Sequence, residues 1–143
     1  MSTTTKTVEF DAAYDSGQPC TVAEQIAHAV CIFQRLATGH TPRAVSVVLS
    51  TDTLVVTLHE ALTPAERAVF QSENGAARVR EFHQHLFANS SRSLRQEIQF
   101  ITGLHVRDAT AEVEPKTGAI MHAFTTGDMV QVVLLKPNMP ATT

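Results

Sequence analysis

Ala44-Val45-Ser46-Val47-Val48-Leu49, the turn formers Ser50-Thr51-Asp52, and then Leu54-Val55-Val56-Thr57-Leu58 form the stretch whose reading decides the fold. Both runs are rich in β-branched side chains, which suit a pleated backbone, and the polar residues between them favour a reversal. The expectation is a β-hairpin. In its second strand Leu54, Val56 and Leu58 point to one face while Val55, Thr57 and His59 point to the other, so the sheet has one clearly apolar side. That side needs a cover.

Working outward, the flanking segments read as the cover. Thr21-Val22-Ala23-Glu24 has the form of a capping box, in which hydroxyl and carboxylate each satisfy an orphan amide at the start of a helix. Val22, Ile26, Val30, Phe33 and Leu36 then recur at helical spacing, leaving Glu24, Gln25, His28 and Arg35 for water, and Gly39 supplies the stop. On the other side, Thr63-Pro64-Ala65-Glu66 combines an N-cap hydroxyl, a proline at the first helical position and a glutamate at the third. From there a helical pattern runs through Val69, Phe70, Gly75, Val79, Phe82 and Leu86, then Leu94, Ile98 and Ile101, to Gly103. A kink or break is expected around Asn89-Ser90-Ser91, whose side chains compete for backbone hydrogen bonds. Leu104 to Val113 reads as a strand, Pro115-Lys116-Thr117-Gly118 as a turn and Ala119 to Phe124 as the hairpin partner, while Met129 to Leu135 has the composition of an extra C-terminal strand.

The order of elements predicts an α+β fold: an N-terminal helix, a hairpin, a long kinked helix and a second hairpin, with a mainly antiparallel sheet covered by helices on one face. Residues 21–136 are read as one domain, 1–20 as a flexible N-terminal arm too poor in large apolar side chains to offset the entropy of ordering, and 137–143 as a polar tail.

Composition narrows the function. The chain has 143 residues, 43% hydrophobic and 17% charged, with no Trp and one Tyr, so it is an ordinary globular chain with an aliphatic core. A formal net charge of -3 provides no positive field for nucleic acid. No segment reads as a signal peptide or a membrane-spanning helix, which gives a cytoplasmic expectation. Cys20 and Cys31 make no disulfide framework and lack the spacing of a structural zinc site.

The residues that bear chemistry are scattered along the sequence. His83 and His85 lie two apart on a helix and point in nearly opposite directions, so they do not chelate one ion together. His59, His105 and His122 fall on strands and are the weak candidates for a metal or small-ligand site. No phosphate loop and no nucleophile-base spacing occurs, and neither cofactor nor catalytic residue is expected. Arg78, Arg80, Arg92 and Arg95 concentrate on the long helix and are the candidates for contacting an acidic partner.

The N-terminal helix, the Val/Leu hairpin, Leu62-Thr63-Pro64-Ala65-Glu66, the Gly75-containing helix with Val79, Arg80, Phe82 and Leu86, Ile98-x-x-Ile101-Thr102-Gly103, and Pro115-Lys116-Thr117-Gly118 recur in this order in a bacterial family. From Thr21 to Phe124 the chain resembles the MpsC family, associated with a sodium-translocating membrane-potential-generating system. The resemblance implies a soluble accessory protein beside ion or bicarbonate transport, not a pore, and brings no catalytic residues with it. The resulting expectation is a non-enzymatic accessory or regulatory protein that binds a protein partner, which the family implies to be a membrane transport complex, and forms a homo-oligomer through sheet edges and Met129 to Leu135. A small-ligand or metal sensor using His59, His105 or His122 is the alternative.

Overall fold

The computed structural model describes residues 3–10 and 21–129, and among these the chain forms four helices and a five-stranded antiparallel sheet. The strands are β1 (Thr4–Glu9), β2 (Ala44–Leu49), β3 (Thr53–His59), β4 (Leu104–Val113) and β5 (Ile120–Met129), and they lie in the order β1-β2-β3-β5-β4. The helices are α1 (Val22–Thr38), α2 (Pro64–Phe70), α3 (Gly75–Ser90) and α4 (Arg92–Thr102). The α+β expectation, with helices against one face of the sheet, holds.

The two capping boxes form as their sequences require. Thr21 Oγ1 accepts from the Glu24 amide at 3.1 Å while Glu24 Oε1 accepts from the Thr21 amide at 3.1 Å, and Thr63 with Glu66 repeats the arrangement at the start of α2. Strand alternation then builds the core. Val45 and Val47, Leu54, Val56 and Leu58, and Ile120 and Phe124 are all fully buried under the helices, where Ile26, Val30 and Ile98 meet them. Burying such side chains stabilises the fold by roughly 1.5–3 kcal/mol each.

Three expectations need correction. Residues 1–20 are not wholly a flexible arm, because Thr4–Glu9 is an edge strand in register with β2, Thr4 opposite Leu49 and Glu9 opposite Ala44. Its threonines favour extended backbone, Val8 reaches the core, and Lys6 Nζ lies 3.5 Å from Glu24 Oε2 of α1. Pairing to a neighbour supplies the order that its own polar composition does not.

The second correction concerns the long helix, which is three helices. Asn74 adopts a left-handed φ of 61°, which asparagine tolerates better than most residues, and the chain turns a corner there. A Cβ on Gly75 would lie 1.5 Å from the Val69 carbonyl oxygen, so the corner is passable only without a side chain. The break expected around Asn89-Ser90-Ser91 falls at Ser91, between α3 and α4.

Third, the buried stripe of α1 is rotated from its predicted position. Ala23, Ile26, Ala27, Val30, Cys31 and Gln34 are buried, whereas Leu36 is 80% exposed. Ile26 and Val30 of the predicted stripe are fully buried and Phe33 packs against the core, while Ala23 and Ala27 share the buried face and Val22 and Leu36 at the two ends are exposed. Of the extra strand expected over Met129 to Leu135, Met129 closes β5, while residues 130–135 and the tail 137–143 lie outside the described residues.

Candidate functional site

The capping box at the start of α2 has a second use. Glu66 Oε1 is held by the Thr63 amide at 2.9 Å, which aims Oε2 at α3, where it lies 2.8 Å from His83 Nε2. His83 is four residues from both Val79 and Phe87, so helical periodicity turns all three inward, and its side chain is 3% exposed. The Glu66 carboxylate is thus in close polar contact with a buried imidazole. Burial on its own pushes the Glu66 carboxyl up, but the His83 imidazole and the Thr63 amide and hydroxyl outweigh it and hold the carboxyl below its ordinary value.

Deeper in the same region is His122, between Ile120 and Phe124 on the core face of β5. Its ring stacks against Phe87 at a centroid distance of 4.4 Å and meets Phe33 edge-on at 5.9 Å. Burial in this aromatic surround, with some repulsion from His83, pushes its pKa down to about 3. His122 is therefore a neutral imidazole at ordinary pH. Its Nδ1 has no hydrogen-bond partner among the described residues, nor do Gln34 Nε2 and Thr126 Oγ1.

Two grooves flank the C-terminal half of α1 and share Ala37. One, of about 450 Å³, lies between α1 and the α2–α3 corner and is lined by apolar atoms of Val69, Val79 and Phe82, with Glu66 and Arg78 as its charged groups. The other, of about 470 Å³, lies between α1 and α4 and includes Ile32, Phe33, Leu36 and Leu94. Around them the helical layer leaves Ile32, Leu36, Val69 and Phe82 at 47%, 80%, 40% and 52% exposure. Water covers these large apolar side chains at a free-energy cost that a partner surface would relieve.

The four arginines do not form one patch. Arg78 borders the first groove and has no ion-pair partner among the described residues. Arg80, two residues on, points the other way and forks onto Glu112 of β4, with Nε to Oε1 at 2.7 Å and Nη2 to Oε2 at 3.1 Å. That guanidinium is already engaged within the chain. Arg92 and Arg95 border a small depression of about 290 Å³ with Gln96, Gln99 and His105. Arg78 and Arg80 lie on α3 whereas Arg92 and Arg95 lie on α4, with the break at Ser91 between them.

The strand histidines also separate. His59 lies on the outer face of the sheet, where its Nε2 and the Ser46 hydroxyl share a hydrogen bond of 2.8 Å, His105 is exposed near the start of β4, and His122 is in the core. No group of three or more His, Cys, Asp or Glu able to hold a metal occurs among the described residues. Sequence reasoning passed over the pairing of Glu66 with His83. The signals for it were the i, i+4 spacing of Val79, His83 and Phe87 and the inward-facing carboxylate of the capping box.

Residues 20–128 match the family model described as Na+-translocating membrane potential-generating system (MpsC). No curated protein and no solved structure matches the chain. No helix among the described residues is long and apolar enough to cross a membrane.

Proposed function

Since the chain belongs to the MpsC family, whose description is a membrane potential-generating system that translocates Na+, we propose that it serves such a system as a non-enzymatic accessory protein. Its work in this reading is docking: the helical layer around α1 receives an apolar segment of a protein partner of the transport complex. The observation behind this is the exposed set Ile32, Leu36, Val69 and Phe82 bordering two grooves. Apolar anchors that fill pockets dominate binding energy at interfaces, and long side chains at the rim add register. Arg78, bordering the groove without an ion-pair partner among the described residues, is the forked donor for a carboxylate on the partner, while Arg92 and Arg95 offer a second, separate contact.

Co-purification from membranes solubilised in mild detergent tests the proposal. The tagged chain should retain a transport-complex component, and Leu36→Ser with Phe82→Ser should lose it while the chain stays folded. Arg78→Glu should weaken retention, and Arg80→Ala should leave it unchanged because that arginine already pairs with Glu112. Recovery of no membrane component, or retention unaffected by the double variant, rejects docking at this surface. A small-ligand sensor is supported only by the size of the α1–α2–α3 groove, which is in the range of ligand sites. A ligand of the native state raises the thermal midpoint, so a thermal-shift series of metal ions, bicarbonate and nucleotides separates the two readings.

A further inference from the structure

The side of the sheet away from the helices has an ordered surface of its own. Strand register lines up Thr5, Val48, Val55, Ala123 and Thr110 across all five strands. The next row is Thr7, Ser46, Thr57 and Met121, ending on Glu112 at the β4 edge. Every one of the nine residues before Glu112 is uncharged, and Val48 is 37% exposed at the centre. Charge lies at the margin, with Glu112 already paired to Arg80, Asp108 on β4, Arg107 over Gly127 at the end of β5 and Glu9 at the end of β1.

Thr7, Ser46 and His59 are hydrogen-bonded to one another within the face. Thr7 Oγ1 and Ser46 Oγ lie 3.0 Å apart, and Ser46 Oγ and His59 Nε2 lie 2.8 Å apart. Such a chain can lose its water without leaving these atoms unpartnered, so covering it costs little. A solvated sheet face ordinarily alternates in charged residues, whereas a charge-free centre with a charged margin is the anatomy of an interface.

We propose that this face packs against the same face of a second copy, sheet on sheet, about a two-fold axis. An uncharged centre is compatible with itself, since the axis brings no like charges together there, and it offers a charged partner nothing to complement. Two twisted sheets of this kind pack in near alignment, roughly 10 Å apart. Five strands at ~4.8 Å spacing and about six residues at ~3.3 Å give ~480 Å² per copy, or roughly 1,000 Å² for the pair. That is the low end of specific interfaces, so the pair forms and dissociates with concentration instead of being permanent. The surface is distinct from the helical layer assigned to the membrane partner.

Sedimentation equilibrium on the full chain from low micromolar to near-millimolar concentration provides the test. The mass should rise from one chain toward two, and Val48→Lys should weaken the association by about tenfold or more, because two lysines then face each other across the axis. Val48 is exposed enough for lysine to be accommodated, and unchanged circular dichroism and thermal midpoint check this; Val55→Lys, one strand over, is the second variant. A single-chain mass throughout overturns the proposal, as does association that survives both variants. Loss of association in Val133→Lys but not in Val48→Lys also overturns it, by assigning the contact to the C-terminal segment. Retention of a membrane partner by Val48→Lys keeps this outcome separate from that of the helical-layer docking.

Discussion

Replacing His122 by phenylalanine should remove much of the acid sensitivity of this fold. The folded chain takes up a proton at His122 only near pH 3, whereas the unfolded chain does so near the ordinary 6.5. Between those values the unfolded chain binds more protons, so this contribution is complete above pH 6.5 and is lost progressively as the pH falls toward 3. Each pH unit inside the window is worth about 1.4 kcal/mol, and integrating from pH 7 to pH 5 gives a loss of about 2 kcal/mol. For a domain of this size that is a fall in Tm of roughly 5–10 °C. Phenylalanine is somewhat larger, but it keeps a flat aromatic ring against Phe33 and Phe87 and removes an Nδ1 without a partner among the described residues. His122→Phe should therefore be at least as stable as the parent at pH 7 and should lose about 2 kcal/mol less on going to pH 5. Urea unfolding followed by circular dichroism at both pH values measures the difference. Equal losses in parent and variant would refute the reasoning. Glu66 does not confound the comparison of pH 7 with pH 5, since a carboxylate with a depressed pKa keeps its contribution above its ordinary 4.5 and loses it only below that, toward its folded-state value.

Other substitutions probe neighbouring features. Glu66→Gln weakens the capping box and takes the negative charge from beside His83, and should cost about 1–2 kcal/mol in the same urea assay at pH 7. Gly75→Ala drives a Cβ into the Val69 carbonyl and should cost about 3 kcal/mol or more, seen as a large fall in Tm. Gln34→Leu replaces a buried amide whose Nε2 is unpartnered among the described residues and should raise stability by about 1 kcal/mol, with no rise expected if the amide is in fact satisfied.

Much of the architecture can be read locally, and the exceptions share a cause. The two capping boxes, the hairpin from Ala44 to His59 and the turn after Glu114 depend on neighbours within a few residues, and they formed where their spacing indicated. β1 escaped because Thr4–Glu9 buries only Val8, and its order comes from β2, far along the chain. The α2–α3 corner escaped because a glycine inside a helical pattern reads as tolerated until the approach of Val69 is seen. For the site, the arginines were visible as a composition, but nothing in the sequence indicated that Glu112 would take Arg80 and leave Arg78 beside a groove. His122 was legible in principle, since two-residue alternation with Ile120 and Phe124 sets it on the core face.

The two rims of the sheet are unequal, and this bears on self-assembly. At the β4 rim, Gln84 of α3 donates to the Ala111 carbonyl at 3.3 Å while Arg80 clasps Glu112, so an incoming strand meets two side chains across that part of the edge. The other edge of the sheet is β1. A unit with a side-chain barrier across one of its two edges is a poor template for open-ended ribbon growth, which needs both edges to pair in turn.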